Sequence, residues 1–166
     1  MRQQLTENDI KKIEAEIEDR KLNRRPKLIA DLKEARSHGD LSENFEYYAA
    51  KREKNQNESR IRYLERLLRT SETIEDDSAE DEVGLNDTVI LQNLTENEEE
   101  TYKLTTQIRS NSLKGLLSIE SPLGKALLHH KEGDEVEIHV SPEYSFEVKI
   151  LSIEKSEDED EEIKKY

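Results

Sequence analysis

Two residue types are absent from this chain and apolar residues are scarce, which narrows what the protein can be. Among its 166 residues there is no cysteine and no tryptophan. Without thiols, neither a disulfide framework nor a thiolate metal site can form, and this composition fits a reducing compartment. Apolar residues make up only 32% of the chain, and no apolar run has the length of a membrane span or a signal-peptide core. We therefore expect a cytoplasmic protein with no membrane partner and a small core.

Glycine and proline are also scarce, with five and three residues, and their positions leave long stretches uninterrupted. Between Phe45 and Arg69 neither occurs, and the spacing of seven residues alternates between three and four, which is typical of a coiled-coil seam. These residues are Tyr47, Ala50, Lys54, Asn57, Ile61, Leu64 and Leu68. An earlier helical stretch, from Thr6 to Arg36, contains Pro26, which predicts a kink or break near residues 24–26. A polar connection with Gly39 then predicts an antiparallel hairpin.

Charge is abundant but unevenly distributed along the chain. Charged residues make up 40% of the sequence and the net charge is −14, yet residues 1–75 hold 17 basic and 16 acidic residues. The remaining residues hold 9 basic and 24 acidic ones. This contrast predicts a coiled-coil domain over 1–75, a solvated acidic linker over 76–84, a second domain over 85–155 and a disordered acidic tail over 156–166.

Basic residues come together in the middle of the predicted hairpin. If the turn lies between residues 42 and 43, residues whose numbers sum to about 85 face each other, and two distant basic clusters merge. They are Arg20, Arg24, Arg25, Lys27, Arg60, Arg62 and Arg66. One interpretation is a patch that binds a phosphate backbone, because guanidinium groups bind phosphate oxygens bidentately. The other is a solvated face on which these residues pair with local glutamates.

The predicted tip of the hairpin carries two carboxylates in the stretch "HGDLSEN". Asp40 and Glu43 lie three positions apart, close enough to share one divalent cation. The same spacing fits a capping box, with Asp40 as the N-cap of the second helix and Glu43 at its third position. The location at the end of a long projection, where capping contributes least to stability, favours the metal interpretation.

The C-terminal half changes to the period of short strands. The stretches "DTVILQ", "ETYKLTT", "GLLSIE", "DEVEIHV" and "YSFEVKILSI" are rich in β-branched and aromatic residues. Between them, "SPLGKALLHH" predicts a helix with Ser121 as N-cap and Pro122 at its first position. Five strands and one helix predict a small α+β domain. His129 and His130 at the end of that helix are expected to have structural or surface roles.

The tip stretch "EARSHGDLSENFEYYAAK" closely resembles the signature of the Gre transcript-cleavage factors, which are GreA-like bacterial elongation factors. The resemblance continues through "RIRYLERLL" and "ETYKL" and is strong in "SIESPLGKALLHHKEGDEVEIH". It therefore covers nearly the whole chain apart from the acidic linker and tail. One departure lies at residues 105–115, which are neutral to basic where similar proteins generally carry an acidic loop.

The resemblance implies an α+β protein with an N-terminal antiparallel α-helical coiled-coil hairpin and an FKBP-like C-terminal domain. In that family the hairpin enters the secondary channel of bacterial RNA polymerase, and the second domain docks at the channel rim. The residues of this chain matching the docking segment are Ser121, Pro122, Leu123 and Gly124. The family's catalytic tip carboxylates correspond to Asp40 and Glu43, which would hold Mg²⁺ weakly together with the polymerase, next to the 3′ end of backtracked nascent RNA.

By the same resemblance, the chain is not an enzyme on its own but stimulates cleavage by the polymerase. We expect a monomer with no nuclease activity when polymerase is absent. An alternative is a Gre-like regulator that occupies the channel and inhibits the polymerase without stimulating cleavage. A third hypothesis is a coiled-coil adaptor unrelated to transcription, in which the tip acids only cap a helix.

Overall fold

The computed structural model describes residues 2–39 and 44–165. The chain forms two compact units, one from Met1–Gln3 with Asp9–Ser71 and the other from Gln4–Asn8 with Glu72–Tyr166. Within the described ranges, none of the helices combines the length and the apolar character that a bilayer crossing requires.

The first unit is a helical hairpin. Its first arm consists of α1 (Glu7–Asp19), a π-helical turn (Arg20–Arg24) and α2 (Arg25–Arg36), and its second arm is α3 (Phe45–Thr70). Hydrogen bonds join Glu16 to Arg60 in the middle part of the arms and Ala35 to Asn44 next to the tip. As the residue number increases along the first arm, that of its partner on the second arm decreases, so the arms are antiparallel. This confirms the predicted hairpin.

Pro26 does not break the first arm, which contradicts the expected break at residues 24–26, while the expected kink stays a prediction. The backbone stays helical and one turn widens, so that the Arg25 N–H donates to the carbonyl of Arg20, five residues earlier. Proline has no N–H to donate to the preceding turn, and a π turn just before it accommodates the interrupted hydrogen-bond pattern. The chain therefore passes the proline within a continuous helical arm.

The pairing between the arms is less uniform than a fixed sum of 85 predicts. Side-chain contacts join Glu16 to Arg60, Arg25 to Glu58 and Lys21 to Glu65, pairs whose residue numbers sum to between 76 and 86. Arg60 lies nine residues, or more than two helical turns, from the position that a sum of 85 places opposite Glu16, so side-chain reach alone does not explain the difference. The contacts of Arg20 with Asn57 and of Ala35 with Asn44 give sums of 77 and 79, so the register of the arms is lower than predicted. Long arginine, lysine and glutamate side chains then reach partners on either side of that register. Their partners therefore cannot be assigned from a single register.

The second unit contains the sheet predicted from the sequence. Within residues 72–165 its strands are β3 (Thr88–Asn93), β4 (Glu98–Thr105), β5 (Leu116–Ser118), β6 (Glu135–Ser141) and β7 (Tyr144–Glu154). Their spatial order is β5-β4-β3-β7-β6, and the pairs are antiparallel except for the parallel pair of β4 and β5. The predicted α+β fold class is confirmed.

Two short elements of this unit have no signal in the sequence. Strands β1 (Gln4–Leu5) and β2 (Glu72–Thr73) form a parallel pair of two residues each. Two residues are too few to establish an alternating pattern, so neither strand was predicted.

Helix α4 (Pro122–Leu127) is shorter than predicted. It begins with Ser121 as N-cap, as expected, but it ends before the two histidines, and His129 adopts a φ of 70°. Gly124 explains how closely this helix packs, because a Cβ at that position would lie 2.0 Å from the carbonyl oxygen of Ser118. Any side chain there would push the helix away from β5.

Alternating strand residues build the core of the second unit. Eleven buried apolar side chains form one cluster: Val83, Leu85, Val89, Leu91, Leu104, Ile119, Leu127, Val136, Ile138, Val148 and Ile150. Val83 belongs to the stretch predicted as a solvated linker. Nearby, Lys131 pairs with Asp81 at 3.1 Å and the backbone of Ala79 donates to Glu82 at 2.9 Å. The end of this acidic stretch is therefore packed into the C-terminal unit.

Candidate functional site

The end of helix α2 leads into the tip connection through a glycine with an unusual backbone. The N–H of Ser37 donates to the carbonyls of Lys33 and Glu34, which completes the last helical turn. Gly39 then adopts a φ of +110°, and a Cβ placed on it would meet nothing within 4 Å. A side chain would have space here, so the lack of space is not the reason for glycine. Glycine is required because other residues rarely adopt this backbone conformation.

Asn44 fixes the start of helix α3. Its Oδ1 accepts from the N–H of Tyr47 at 3.0 Å, which is the bond of an N-cap, and its Nδ2 donates to the carbonyl of Ala35 at 2.7 Å. One side chain therefore caps the second arm and joins it to the end of the first. The sequence marks Asn44 as a cap-competent turn residue, because Asn is among the best N-cap residues, but only the structure shows that it caps this helix.

Further contacts across the hairpin support this end of the arms. His38 Nδ1 lies 3.0 Å from the Glu46 carboxylate, and the Arg36 guanidinium lies 5.7 Å from the centre of the Tyr47 ring. Phe45, in contrast, is 86% exposed. The base of the tip is thus held by polar and cation–π contacts, while an aromatic ring faces outward.

The two predicted site carboxylates, Asp40 and Glu43, lie outside the described residues. Their neighbours on each side are described, and they test the capping interpretation. Helix α3 begins at Phe45 and its N-cap position is filled by Asn44. A capping box that uses Asp40 as N-cap would require the helix to begin at residue 41. The N-cap role, which was the alternative to metal binding for Asp40, is therefore taken by Asn44.

Carboxylate oxygens are the hard ligands that Mg²⁺ prefers, and Mg²⁺ commonly takes one or two carboxylates from a protein. A pair such as Asp40 and Glu43 fits that requirement chemically. Among the described residues, no group of three or more histidine, cysteine, aspartate or glutamate side chains is arranged to hold a metal.

Two of the predicted basic-patch residues pair with exposed or half-buried carboxylates. Arg25 binds Glu58 bidentately, with Nε and Nη2 at 2.7 and 2.9 Å from the two oxygens. Arg24 donates to Asp19 at 2.9 Å. The hydrogen bond from Arg25 lowers the pKa of Glu58 despite some desolvation. These contacts are those of the alternative interpretation, in which the basic residues pair with local acids.

Two others join a polar network between the arms. The Glu16 carboxylate accepts from Arg20 and from Arg60, each with a 2.8 Å contact, and Arg20 also donates to Asn57 at 3.0 Å. Arg60 is only 3% exposed, and its guanidinium lies over the Tyr63 ring. Burial by itself would raise the pKa of Glu16, but the hydrogen bonds from Arg60 and Arg20 lower it. Arg60 is therefore part of the interior of the hairpin.

The remaining three patch residues, Lys27, Arg62 and Arg66, are exposed. Arg66 lines a cavity of about 590 Å³ together with Arg2, Arg69 and the Tyr63 ring. Sequence reasoning did not include Arg2 and Arg69, although Arg69 lies one helical turn beyond Arg66. The structure therefore divides the seven predicted residues into four that pair with carboxylates of the hairpin and three on an exposed basic surface.

The residues predicted to dock on polymerase lie at the start of α4. Ser121 Oγ accepts from the N–H of Gly124 at 3.1 Å and donates to the carbonyl of Ser118 at 2.6 Å. Leu123 packs against the core cluster, and Gly124 is buried. Pro122 is exposed. Within this segment, the surface available to a partner is formed by Pro122 and by the half-buried Ser121 and Leu123.

An antiparallel helical hairpin followed by a curled mixed sheet defines a two-domain architecture, and family models match both parts. The model described as "Transcription elongation factor, N-terminal" matches residues 3–72, and "Transcription elongation factor, GreA/GreB, C-term" matches residues 78–155. These matches define the class as bacterial transcription elongation factors. The chain belongs to the GreA/GreB family, as its resemblance to the Gre factors predicted.

Two GreA relatives support this assignment through their sequence identity. The chain is 42% identical over 153 residues to transcription elongation factor GreA of Streptococcus pneumoniae serotype 19F, covering 92% of this chain and 95% of the relative. It is 46% identical over 143 residues to GreA of Limosilactobacillus fermentum, covering 86% and 90%. Among solved structures, GreA factor homolog 1 (Gfh1) of Thermus thermophilus is 27% identical with a TM-score of 0.43, covering 93% of this chain and 100% of that one.

Proposed function

We propose that this elongation factor is a transcript-cleavage factor of bacterial RNA polymerase. Its hairpin enters the secondary channel and carries Asp40 and Glu43 to the polymerase active site, where the 3′ end of backtracked RNA is cut. One observation carries the proposal: Asn44 already caps α3, so the adjacent acidic pair is not needed as the cap. Membership in a family of elongation factors supplies the context.

The dimensions of the hairpin support this mode of action. Helix α3 has 26 residues, which at 1.5 Å per residue gives an arm of about 39 Å. The buried residues of α3 are Asn57, Arg60, Ile61, Leu64 and Leu67. All lie at or beyond position 57, so the twelve residues nearest the tip, 45–56, present exposed or half-buried side chains. Such an arm is suited to reach into a narrow opening of a larger protein.

The proposed role of the tip carboxylates is to bind and position a metal jointly with the polymerase. When bound there, Mg²⁺ supplies charge stabilisation for in-line phosphoryl displacement. Asp40 and Glu43 would contribute one or two oxygen ligands, and the polymerase would contribute the others. Two carboxylates on an isolated protein bind Mg²⁺ weakly, so we expect no nuclease activity from the chain alone.

A cleavage assay on a stalled, backtracked elongation complex tests the proposal. Adding the protein should shorten the RNA from its 3′ end, and Asp40→Asn or Glu43→Gln should abolish the stimulation. Glu53→Gln is the matched control, because Glu53 is an exposed carboxylate on α3 away from the tip. Unchanged cleavage with both tip variants would overturn the proposal. Slower nucleotide addition without cleavage would instead support the inhibitory regulator.

A magnesium titration separates metal binding from a purely steric role of the tip. If the carboxylates are ligands, a variant such as Asp40→Glu, which retains an oxygen donor in a displaced position, should need more Mg²⁺ for half-maximal cleavage. Glu53→Gln should leave the titration midpoint unchanged. A lower maximal rate at an unchanged midpoint would contradict a role in metal binding.

The basic residues exposed on the hairpin are proposed to contact extruded RNA. Charge reversal at Lys27 or Arg62 should reduce cleavage of deeply backtracked complexes, which extrude long RNA, more than of shallow ones. Lys51→Glu is the control, because Lys51 is exposed on α3 but does not belong to the predicted patch. Equal losses for both RNA lengths would argue against an RNA contact. Arg60 is unsuitable for this test because its side chain holds the arms together.

A further inference from the structure

The acidic tail lies outside the family match, which ends at residue 155, yet it makes specific contacts with the second unit. Glu159 and Glu161 are partly buried, whereas Asp158, Asp160 and Glu162 are exposed. This alternation has the period of an extended chain, in which successive side chains point to opposite sides. The tail therefore presents two carboxylates, two residues apart, to the domain.

These carboxylates meet Arg109, whose side chain has no solvent-exposed surface. Its Nη1 donates to Glu161 at 2.7 Å and to Asn86 Oδ1 at 3.0 Å, and its Nη2 lies 3.6 Å from Glu159. Arg109 follows β4, in the stretch 105–115 that is neutral to basic. A buried guanidinium is costly unless a carboxylate and hydrogen bonds compensate its desolvation. Here the carboxylates come from the tail.

Each tail carboxylate also has other donors. Glu159 accepts from Asn86 Nδ2 at 3.1 Å and from the hydroxyl of Thr6 at 3.2 Å. Glu161 accepts from Lys103 Nζ at 2.8 Å. The donors that contact the carboxylates of Glu159 and Glu161 thus come from four separate places in the sequence. Such convergence is a property of a binding site and differs from the diffuse attraction of a charged tail.

Backbone groups of the tail are bound as well. Lys103 Nζ donates to the carbonyl of Asp158 at 2.7 Å, and the N–H of Lys164 donates to the carbonyl of Ile108 at 2.8 Å. Main-chain bonds of this kind give affinity to an extended peptide, while pockets for alternate side chains give specificity. The spacing of the inward carboxylates, two residues or roughly 6 to 7 Å along an extended chain, then selects the sequence.

We propose that Arg109, Lys103, Asn86 and Thr6 form a binding site for an acidic peptide in extended conformation, with residues 158–164 of this chain as its resident ligand. The tail is then an ordered intramolecular ligand that occupies the site. Another acidic segment can enter only when the tail leaves. This inference is independent of polymerase and of the tip carboxylates.

Backbone order parameters of the full-length chain, measured by ¹⁵N NMR relaxation, test whether the tail is bound. In the wild-type chain, residues 158–164 should have order parameters above about 0.6, as in structured backbone. Glu159→Gln combined with Glu161→Gln should lower them below that value. Glu157→Gln combined with Glu162→Gln removes the same charge from exposed positions and should leave them high. Low values in the wild type, or equal loss in both double variants, would overturn the proposal.

A peptide of residues 156–165 added in trans tests whether the site accepts a separate acidic segment. The full-length chain carrying Glu159→Gln and Glu161→Gln should bind this peptide at least roughly tenfold more tightly than the wild-type chain, because the attached wild-type tail competes at a high effective concentration. A peptide with the same two substitutions should not bind. Equal affinity of both chains for the peptide, or binding that ignores the two glutamates, would overturn the proposal.

Discussion

The hairpin and the C-terminal domain place different chemistry in their interiors. In the domain, eleven apolar side chains form one cluster, and they come from the strands, from α4 and from the connections next to them. In the hairpin, the buried residues of α3 include Asn57 and Arg60 beside Ile61, Leu64 and Leu67. Two helices share a single narrow seam, so they cannot bury apolar residues on several sides as a sheet covered by a helix does.

The polar contacts of the hairpin help to fix how the two arms are aligned along their narrow seam. Glu16 binds arginines from both arms, and Arg20 reaches Asn57 on the opposite helix. A shift of one arm by a turn would separate these partners and leave charges buried without compensation. The comparison indicates that apolar burial stabilises the domain, whereas the ion pairs contribute strongly to how the arms are aligned. Each part should therefore respond to a different kind of substitution.

The largest effect is expected from a cavity in the domain core. Leu104→Ala removes a fully buried side chain from the cluster and should lower the free energy of unfolding of the domain by about 2 to 5 kcal/mol. Urea denaturation followed by NMR signals of β3 and β7 measures this loss. Leu94→Ala is the control, because Leu94 is 37% exposed in the turn after β3. Equal losses for both variants would contradict the core assignment.

A smaller effect is expected from breaking the ion pair between the arms. A double-mutant cycle of Arg60→Ala and Glu16→Gln should give a coupling free energy of about 1 to 3 kcal/mol, because both groups are partly or fully withdrawn from water. Denaturation followed by hairpin signals measures it. Arg24→Ala, which removes an exposed pair with Asp19, should leave the unfolding midpoint unchanged. Coupling close to zero would mean that this ion pair does not help to hold the arms together.

The same network should make the stability of the hairpin depend on pH. The pKa of Glu16 is lower in the folded chain than its ordinary value, because the hydrogen bonds from Arg60 and Arg20 outweigh burial. The unfolded state therefore binds more protons as the pH falls through and below the ordinary glutamate range near 4.3. Stability gained from Glu16 is present above that range and is lost towards the lowered pKa. Glu16→Gln should flatten this dependence in urea denaturation series, while Glu53→Gln should not.

Patterns that repeat along the chain were readable from the sequence, and contacts between distant residues were not. The seam spacing of α3 and the alternation within the main strands predicted most elements. The π turn before Pro26 was missed because sequence alone shows that a hydrogen bond is lost but not how the helix compensates. The two-residue strands β1 and β2 depend entirely on their mutual pairing.

For the candidate site, the sequence indicated the tip acids but could not separate exposed basic residues from paired ones. Whether Arg60 binds an external phosphate or Glu16 depends on a partner 44 residues away. Likewise, the acidic composition of the tail predicted disorder. The contact of Glu161 with Arg109 could not be foreseen, because Arg109 becomes its partner only when the strands are assembled. Composition describes the average solvent preference of a segment, whereas these contacts depend on individual positions.

The smallest effect is expected at the tip, where one side chain makes both key bonds. Asn44→Ala should lower the free energy of unfolding by about 0.5 to 2 kcal/mol through loss of the N-cap, and it should speed hydrogen exchange at the Tyr47 amide. Asn44→Asp keeps the capping oxygen but loses the donor to Ala35, so it should protect Tyr47. Asn55→Ala, at an exposed position within α3, controls for helix propensity. If Asn44→Ala leaves Tyr47 protected, another residue caps α3, and Asp40 becomes available again as the cap instead of a metal ligand.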